Sequence, residues 1–493
     1  MARATQPMKK KSPLDLDEKV LKGLTKAELI EIILDQRQQL DDLQRRQDKQ
    51  KSQQINLQVN QPSSKKPEWD KDGNPVTKKN NNKKKRCKRP GCGNVKKTDL
   101  EPDEMNRIVL NSCPDCGLDL HGRKGTDKPG RIVEDIDPPQ AKTKLSRQIE
   151  QLKWCPRCKK MVCSKTQAAL PGSDIGLNAT IEMAWLWVMS ALSLAKIQDL
   201  FQSFKACRIS TAGLSRIMIR LSGILQPVYE EIRNDVKDGA RIWADETGWR
   251  VKGKLWWLWI FANQRSAYYW ADRGRGAAVV HNVLGEIFHG VLIVDAWCAY
   301  NKMVCDKQTC MAHIFRKIRA FINAYPQYRS IMKFYLKLRQ IIKDGGKLQN
   351  RRCELEPMVF RRRLFRLHER LDELLRWKNP NDTLRDVIKK VRRQKQYILT
   401  FVEHDGVPHH NNYGEYIIKK GVIKRKMSGG SMSEQGAKAY ACIQSIAMTC
   451  QLRNIPFHEF LRASLVQYIR TGKPMLLREF EADRTKTAEK KAA

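Results

Sequence analysis

The sequence predicts a mixed α/β fold, and two observations lead to this prediction. Between residues 241 and 301, short β-favouring apolar runs alternate with polar links, and two of these runs cover Leu255 to Asn263 and Ser266 to Ala271. A helical stretch from Ala277 to Phe288 comes next and precedes a further apolar run. The predicted order is therefore strand, strand, strand, helix, strand.

The first and last of these strands each deliver an acidic residue. Asp245 closes Ile242-Trp243-Ala244, and Asp295 closes the run from Val291 to Val294. The predicted order is that of an RNase H-like core, in which carboxylates at the ends of neighbouring strands converge. Hard oxygen ligands suit Mg²⁺ or Mn²⁺, and two ions about 3.5 to 4 Å apart serve phosphoryl transfer. A lone Asp at a strand end is more often a turn or cap residue than a metal ligand. The role of Asp245 and Asp295 therefore has to be judged from the surrounding residues.

Those surrounding residues form a succession of blocks. They are Asp245-Glu246-Thr247-Gly248-Trp249-Arg250-Val251, Trp256-Trp257-Leu258-Trp259, Asp272-Arg273, Gly290 to Asp295 with Ala299-Tyr300-Asn301, and Cys310-x-x-His313. From about residue 100 to about residue 470, the chain resembles the DDE transposases of the insertion-sequence-66 family. The resemblance implies a bacterial mobile-element enzyme with an RNase H-like catalytic domain, in which Asp245 and Asp295 are two members of an acidic triad.

The third carboxylate has two candidates. The family places its Glu after a paired Asn and before an Arg-Lys pair, and the run from His410 to Tyr416 followed by Arg425-Lys426 fits this frame. The resemblance therefore selects Glu415 over Glu434, which matches a later block. Two positions depart from the family pattern, because His410 replaces an Asp and Tyr416 replaces an Arg.

The resemblance implies that these three carboxylates are catalytic and bind Mg²⁺ or Mn²⁺. The triad consists of Asp245, Asp295 and Glu415. We expect cations on the same helix to hold DNA phosphates beside the metal ions. These residues are Lys419, Lys424, Arg425 and Lys426.

Composition indicates a polyanionic partner. The formal net charge of the 493 residues is +40, and the basic residues are spread along the chain, so binding to DNA would release counterions. The basic start lacks an apolar stretch behind it, and the most apolar run, Ile181 to Leu192, is too short to span a bilayer. We expect a bacterial cytoplasmic protein, associated with the nucleoid when bound to DNA, and no membrane partner.

Cysteine spacing predicts a structural zinc site. Cys113-Pro-Asp-Cys116 and Cys155-Pro-Arg-Cys158 can together form a tetrahedral thiolate site for Zn²⁺. A competing set joins Cys87 and Cys92 to the first pair, which leaves Cys155, Cys158 and Cys163 for a second, incomplete site. We favour the first set, and the zinc is structural under either.

The N-terminal helix carries a heptad-like pattern. Thr25-x-x-Glu28 is a capping box, and apolar residues occupy a and d positions, with Gln36 at the remaining d position. These apolar residues are Leu29, Ile33, Leu40 and Leu43. The pattern predicts a short coiled coil that would join two protomers, giving a homodimer or higher oligomer. The alternative is a solitary amphipathic helix that docks on the body of the protein.

A helix-turn-helix-like pair is predicted before the first strand. One helix covers Leu194 to Phe204, a turn covers Lys205 to Ile209, and the next helix is capped by Ser210 or Thr211. Arg216 and Arg220 would lie on its exposed face. A helical bundle packed on the core explains the pattern equally well.

The predicted organisation has six parts. They are a coiled-coil helix (1–48), a flexible basic linker (49–86), a zinc-finger-like domain (87–163), a helix-turn-helix-like helical domain (164–239), an RNase H-like transposase domain (240–470) with a helical insertion at 325–402, and a charged tail (471–493).

The function that the resemblance implies is DNA transposition. The protein would bind double-stranded DNA at the element's terminal repeats and at the target, and would catalyse metal-dependent strand cleavage and strand transfer. Accessory proteins of the same element are possible partners. The alternatives are an inactive DNA-binding regulator derived from a transposase and an RNase H-like nuclease such as a junction resolvase.

Overall fold

A computed structural model describes residues 25–59, 119, 121, 143–148, 151–157, 159–163, 166–377 and 382–492. These residues form a mixed α/β protein with a five-stranded sheet and a separate two-stranded sheet. No described helix is both long and apolar enough to cross a membrane.

The N-terminal helix α1 is longer than the sequence led us to expect. It covers Lys26–Val59 and so continues beyond residue 48 into the predicted linker, whose remaining residues lie outside the described part of the chain. The extension is held by the body of the protein. The Tyr328 hydroxyl donates to Asp48 Oδ2 over 3.0 Å, and Lys51 Nζ donates to the carbonyl of Ala324 over 3.2 Å. The prediction of a flexible segment starting at residue 49 was therefore wrong for its first turns.

Between α1 and the main sheet, the described residues form a small hairpin and four helices. The hairpin pairs β1 (Leu152–Cys155) with β2 (Lys160–Cys163) in antiparallel register. The helices are α2 (Leu177–Val188), α3 (Leu194–Lys205), α4 (Thr211–Ile224) and α5 (Gln226–Lys237).

The predicted pair of helices before the sheet is confirmed in position. The Ser210 side chain accepts a hydrogen bond from the Gly213 amide and so caps α4, and Ala206 ends α3 in a left-handed conformation. Met218 is buried, whereas Arg216 and Arg220 are exposed as expected. One face of α4 packs inward, and the other is available to solvent.

The main sheet has the predicted strand order along the chain. Its elements are β3 (Arg241–Val251), β4 (Lys254–Ala262), β5 (Ala267–Asp272), α6 (Ala277–Leu284), β6 (Ile287–Val294) and β7 (Val304–Thr309). In space the order is β5-β4-β3-β6-β7, with β3, β4 and β5 antiparallel and with β6 and β7 parallel to β3. Helix α6 ends at Leu284 rather than Phe288, because Gly285 takes a φ of 90° and Phe288 enters β6.

A helical insertion leaves the sheet after β7. Its helices are α7 (Met311–Ala324), α8 (Arg329–Asn350), α9 (Pro357–Arg376), α10 (Asp382–Arg393) and α11 (Thr400–Glu403). The helical region therefore begins at Met311, before the predicted boundary at 325. It has its own apolar cluster, which reaches the sheet at Trp243, Val291 and Ile293.

The insertion returns to the point from which it left. The Asn411 amide donates to Cys310 Sγ over 3.1 Å, which joins the residue before α7 to the residue before the next helix. The last part of the chain consists of α12 (Asn412–Ser428), α13 (Glu434–Leu452), α14 (Phe457–Thr471) and α15 (Leu477–Ala492).

The charged tail is ordered rather than loose. The amides of Leu477 and Arg478, at the start of α15, donate to the Glu231 carboxylate, and Glu481 pairs with Arg453 over 2.9 Å. Leu477 itself is buried. The predicted charged tail is therefore attached to the body of the protein through Glu231 and Arg453.

Candidate active site

Strand register brings two of the predicted carboxylates together. Trp243 of β3 lies opposite Ile293 of the parallel strand β6. Continuing both strands by two residues brings Asp245 and Asp295 to the same level, and the alternation of side chains along a strand directs them to the same face. Asp245 accepts a hydrogen bond from the Glu246 amide over 2.8 Å, and Asp295 accepts one from the Trp297 amide over 3.0 Å.

Asn411 fixes Glu415 next to these strands. Its side-chain amide donates to the carbonyl of Ala244 over 2.9 Å, and its own carbonyl accepts from the Glu415 amide over 3.0 Å. The first turn of α12 is therefore attached to the residue before Asp245. Gly414 is required in this turn, because a Cβ there would lie 2.4 Å from Asn411 Oδ1.

One oxygen of Glu415 is buried without a hydrogen-bond partner among the described residues, namely Oε1. The Nε2 atom of His313 lies 3.6 Å from this oxygen, which exceeds hydrogen-bond length. A buried carboxylate oxygen without a donor is suited to a metal ion.

The three carboxylates lie close enough to repel each other. Burial is the main cause that raises the pKa of Asp245 well above its usual range, and the charges of Glu246, Asp295 and Glu415 add to it. Burial, followed by the charge of Glu246, raises the pKa of Asp295 to about 7. A positive charge placed between the carboxylates would lower the pKa values of both aspartates.

The donor set suits Mg²⁺ or Mn²⁺, although the described residues do not form a complete metal cage. In the described part of the chain, no three His, Cys, Asp or Glu side chains already surround a common point as a metal cage does. Carboxylate oxygens, one of them without a partner, are nevertheless the ligands that hard divalent cations prefer. The residues fit a site that substrate and metal ions complete together.

A buried ion pair supports the loop that carries Asp295, and our reading of the sequence missed it. Arg275 Nη2 lies 2.7 Å from Glu246 Oε1, and the Tyr300 hydroxyl donates to Glu246 Oε2 over 3.0 Å. The Arg275 guanidinium lies over the Trp297 ring, 3.8 Å from its centroid, and the Trp297 amide is the donor to Asp295. The acidic pair Asp245-Glu246 was the available signal, because adjacent residues of a strand point to opposite faces.

Comparison with known families decides which family the chain belongs to. The sequence profile described as "Transposase IS66 family" matches residues 178–439. The chain belongs to the IS66 transposase family. The matched region of this IS66-family protein runs from α2 into α13 and includes Asp245, Asp295 and Glu415.

Two curated relatives are also similar to the chain. Uncharacterized protein y4qI of Sinorhizobium fredii is 25% identical over 292 residues, which cover 52% of this chain and 53% of the relative. Uncharacterized protein y4jO of the same organism is 30% identical over 80 residues, which cover 16% of this chain and 25% of the relative. The chain thus spans about half of one relative and a quarter of the other.

Glu434 lies in a different environment from Glu415 in this IS66-family protein. It is exposed at the start of α13, where its carboxylate pairs with Lys438 over 2.8 Å and with Arg273 over 3.6 Å. The hydrogen bond from Lys438 is the main cause that lowers the pKa of Glu434. By contrast, Glu415 is one of the acids whose charge raises the pKa of Asp245.

Only two of the four expected DNA-binding cations of α12 are exposed. Lys419 and Lys426 face solvent, as expected. Lys424 is buried, and its Nζ donates to the carbonyls of Trp187 and Leu192. Arg425 is half-buried and donates to Thr247 Oγ1 over 2.9 Å. The expectation of contact with DNA phosphates is corrected for Lys424 and Arg425, because their side of α12 packs on other elements.

The zinc prediction falls largely outside the described residues. Cys113, Cys116 and Cys158 lie outside them, as do Cys87 and Cys92 of the competing set. Cys155 ends β1 and Cys163 ends β2. The zinc site of this IS66-family protein stays a prediction.

Proposed function

We propose that the chain is a DDE transposase with an RNase H-like core. Asp245, Asp295 and Glu415 would hold two Mg²⁺ or Mn²⁺ ions and support strand cleavage at the element ends and strand transfer into target DNA. The observation that carries the proposal is that the charges of Asp295 and Glu415 raise the pKa of Asp245, although the three residues come from distant segments. The strand order β5-β4-β3-β6-β7, with three antiparallel and two parallel strands, supports the RNase H-like assignment.

Each protein group has a distinct role in the proposed reaction. When bound, a pair of divalent ions would activate the attacking hydroxyl and stabilise the leaving oxygen of the in-line displacement. Asp245 and Asp295 would bind these ions from the sheet, and Glu415 would bind them from α12. The Glu246–Arg275 pair holds the loop of Asp295, so Arg275 is a positioning residue. Lys419, one turn from Glu415, and Lys426 bind phosphates of the substrate strand.

DNA binding follows from charge as well as from the site. The net charge is +40, and exposed arginines occur on α4 and α9, including Arg216, Arg220 and residues 361–363. Release of counterions from DNA would drive association with terminal repeats and target DNA. A structural Zn²⁺ held by Cys113, Cys116, Cys155 and Cys158, a dimer formed through α1, and accessory proteins of the same element belong to the same proposal.

Substitution of the carboxylates tests the proposal. We expect Asp295→Asn, Asp245→Asn and Glu415→Gln each to reduce Mg²⁺-dependent nicking of a terminal-repeat duplex to background, while the duplex still binds. Glu434→Gln is the matched control and should nick at the wild-type rate. Loss of nicking in Glu434→Gln with retention in Glu415→Gln would transfer the third ligand position to Glu434.

A second candidate is a DNA-binding regulator derived from a transposase. It is favoured by Tyr416, which replaces the family's usual Arg and is 47% exposed beside the acidic site, where it offers no cation to a phosphate. Such a regulator would bind the terminal repeats with or without metal and would show no nicking in Mg²⁺ or Mn²⁺. Metal-dependent nicking by the wild-type chain excludes this candidate.

A further inference from the structure

A cavity of about 380 Å³ lies away from the three carboxylates, between α3, α4, α12 and α13. Lys424 on its wall is nine residues beyond Glu415 on α12, which corresponds to about 14 Å along a helix. The cavity is within the roughly 300 to 1000 Å³ of typical small-molecule sites. It is therefore large enough for a ligand of its own.

Three helices begin at this cavity. The lining includes Ser193 and Leu194 at the start of α3, Thr211 and Ala212 at the start of α4, and Ser433 at the start of α13. The first amides of a helix have no intrahelical acceptor, and the helix dipole places partial positive charge there. Three such ends facing one space favour an anion.

A buried lysine lines the same space and is positively charged when it is protonated. Lys424 is 2% exposed, and no carboxylate in the described part of the chain lies within ion-pair distance of it. Its Nζ donates to the carbonyls of Trp187 and Leu192, which uses two of its three N–H groups. Burial lowers the pKa of Lys424 to about 7. An anion in the cavity would supply the missing counter-charge and accept the third N–H.

A tyrosine hydroxyl in the wall lacks a partner. Tyr440 is 1% exposed and lines the cavity, and its hydroxyl makes no hydrogen bond to any described residue. Its ring stacks on Trp249, with centroids 5.1 Å apart, and meets Trp187 edge-on at 5.5 Å. Because the ring is held on both sides, the hydroxyl is kept in place. A buried hydroxyl of this kind normally has a partner, and a ligand can provide one.

The remaining wall is mixed. Leu194, Met218, Ile219 and Met432 form its apolar part, and Ser215, Ser428 and Ser431 add hydroxyl groups. The loop between α12 and α13 is pressed against β3, since a Cβ on Gly430 would lie 2.2 Å from the carbonyl oxygen of Arg250. A ligand suited to this cavity therefore combines a negative group with a flat or apolar body.

We propose that the cavity binds one nucleotide unit, with its phosphate at Lys424, Tyr440 and the three helix starts and with its sugar and base against the apolar wall. The nucleotide is either free or an unpaired nucleotide of a DNA strand. Binding at this site does not depend on strand cleavage by Asp245, Asp295 and Glu415.

Calorimetric titration of the full chain with the four deoxynucleoside monophosphates tests the proposal. We expect one nucleotide per chain. Tyr440→Phe should weaken binding about tenfold, which is typical for the loss of one hydrogen bond to a charged group, without lowering the melting temperature, because the hydroxyl has no partner among the described residues. Lys424→Met should remove measurable binding. Lys420→Met, on the same helix but not on the cavity wall, is the matched control and should bind as the wild type does.

Duplexes that are blunt or carry one unpaired terminal nucleotide distinguish the two sources. If the nucleotide comes from DNA, Tyr440→Phe weakens binding of the overhanging duplex and leaves the blunt duplex unaffected. If it is free, monophosphates bind, and both duplexes bind equally well to wild type and variant. The proposal is overturned if neither monophosphates nor the overhanging duplex respond to Tyr440→Phe, or if inorganic phosphate binds as tightly as a nucleotide.

Discussion

At the scale of single residues, the acidic site is a place where the protein gives up stability for function. Burial is the main cause of the raised pKa values of Asp245 and Asp295, and repulsion among the acids of the site adds to it. Asn at either aspartate position keeps the shape and removes a charge. Each change should therefore stabilise the metal-free protein while weakening the metal site.

Thermal unfolding with and without divalent metal checks this expectation. In EDTA, we expect Asp245→Asn and Asp295→Asn to melt above the wild type. Mn²⁺ at 100 times its dissociation constant should stabilise the wild type by about 2.7 kcal/mol and should stabilise neither aspartate variant. Glu434→Gln serves as the control and should respond as the wild type does. An equal response of all four proteins to Mn²⁺ would mean that the metal binds elsewhere.

Lys424 predicts a pH dependence of stability. Its pKa in the folded protein is about 7, below the value of 10.5 in an unfolded chain, so the unfolded state binds more protons between these values. Stability therefore rises with pH in this window, by at most about 1.4 kcal/mol per pH unit. Burial raises the pKa of the facing Tyr440, so its hydroxyl does not titrate in the window.

Urea unfolding of wild type and Lys424→Met at several pH values measures this effect. We expect the free energy of unfolding of the wild type to increase relative to that of the variant from pH 7 to pH 9. Below pH 7 the difference should be constant. A difference that is independent of pH across the whole range would show that Lys424 stays charged in the folded protein.

At the scale of elements, helix α1 exposes an apolar stripe. Ile33 is 60% exposed, Leu40 is 67% exposed and Leu43 is 54% exposed, although they occupy the predicted a and d positions. Further along the helix, Asp48 and Lys51 contact the body of the protein. The docking alternative therefore describes the second half of the helix, and the coiled coil stays a prediction for the first half.

The oligomeric state tests the coiled-coil half. We expect the wild-type chain to be a dimer by light scattering after size exclusion, and Leu40→Lys with Leu43→Lys to halve the mass, because charged residues cannot be buried in the seam. Gln38→Lys, on the outer face of the heptad, should leave the dimer intact. A monomeric wild type would leave α1 as a docking helix only.

The elements also show what could be predicted from sequence. Strands β3 to β6 were predictable because their β-favouring runs are local signals. Glu415 was identified only through the family's paired-Asn frame, because the helical insertion separates it from Asp295. The Glu246–Arg275 pair was not predictable, since it depends on the loops that pack around the sheet. Lys424 follows Ile417 and Gly421 at helical spacing on a buried face, and this pattern was overlooked.

At the scale of the whole molecule, the net charge of +40 predicts salt-sensitive DNA binding. Residues 361–363 on α9 are three exposed arginines. Replacing all three with Ala should lower the slope of log affinity against log salt by about one for each DNA phosphate that they neutralise. Fluorescence anisotropy at several salt concentrations measures the slope. The control replaces Arg478, Arg484 and Lys486 on α15, and an equal decrease there would mean that no particular basic surface binds DNA.

The hydrogen bond between Cys310 and Asn411 affects how the whole protein tolerates change. Because the helical insertion starts and finishes at one point, residues can be added within it while its packing on Trp243, Val291 and Ile293, and with it the distance between the acidic residues, stays the same. The number of residues between Cys310 and Asn411 can therefore vary without changing the geometry of the acidic site. Engineered fusions placed at this junction should likewise leave the acidic site unchanged.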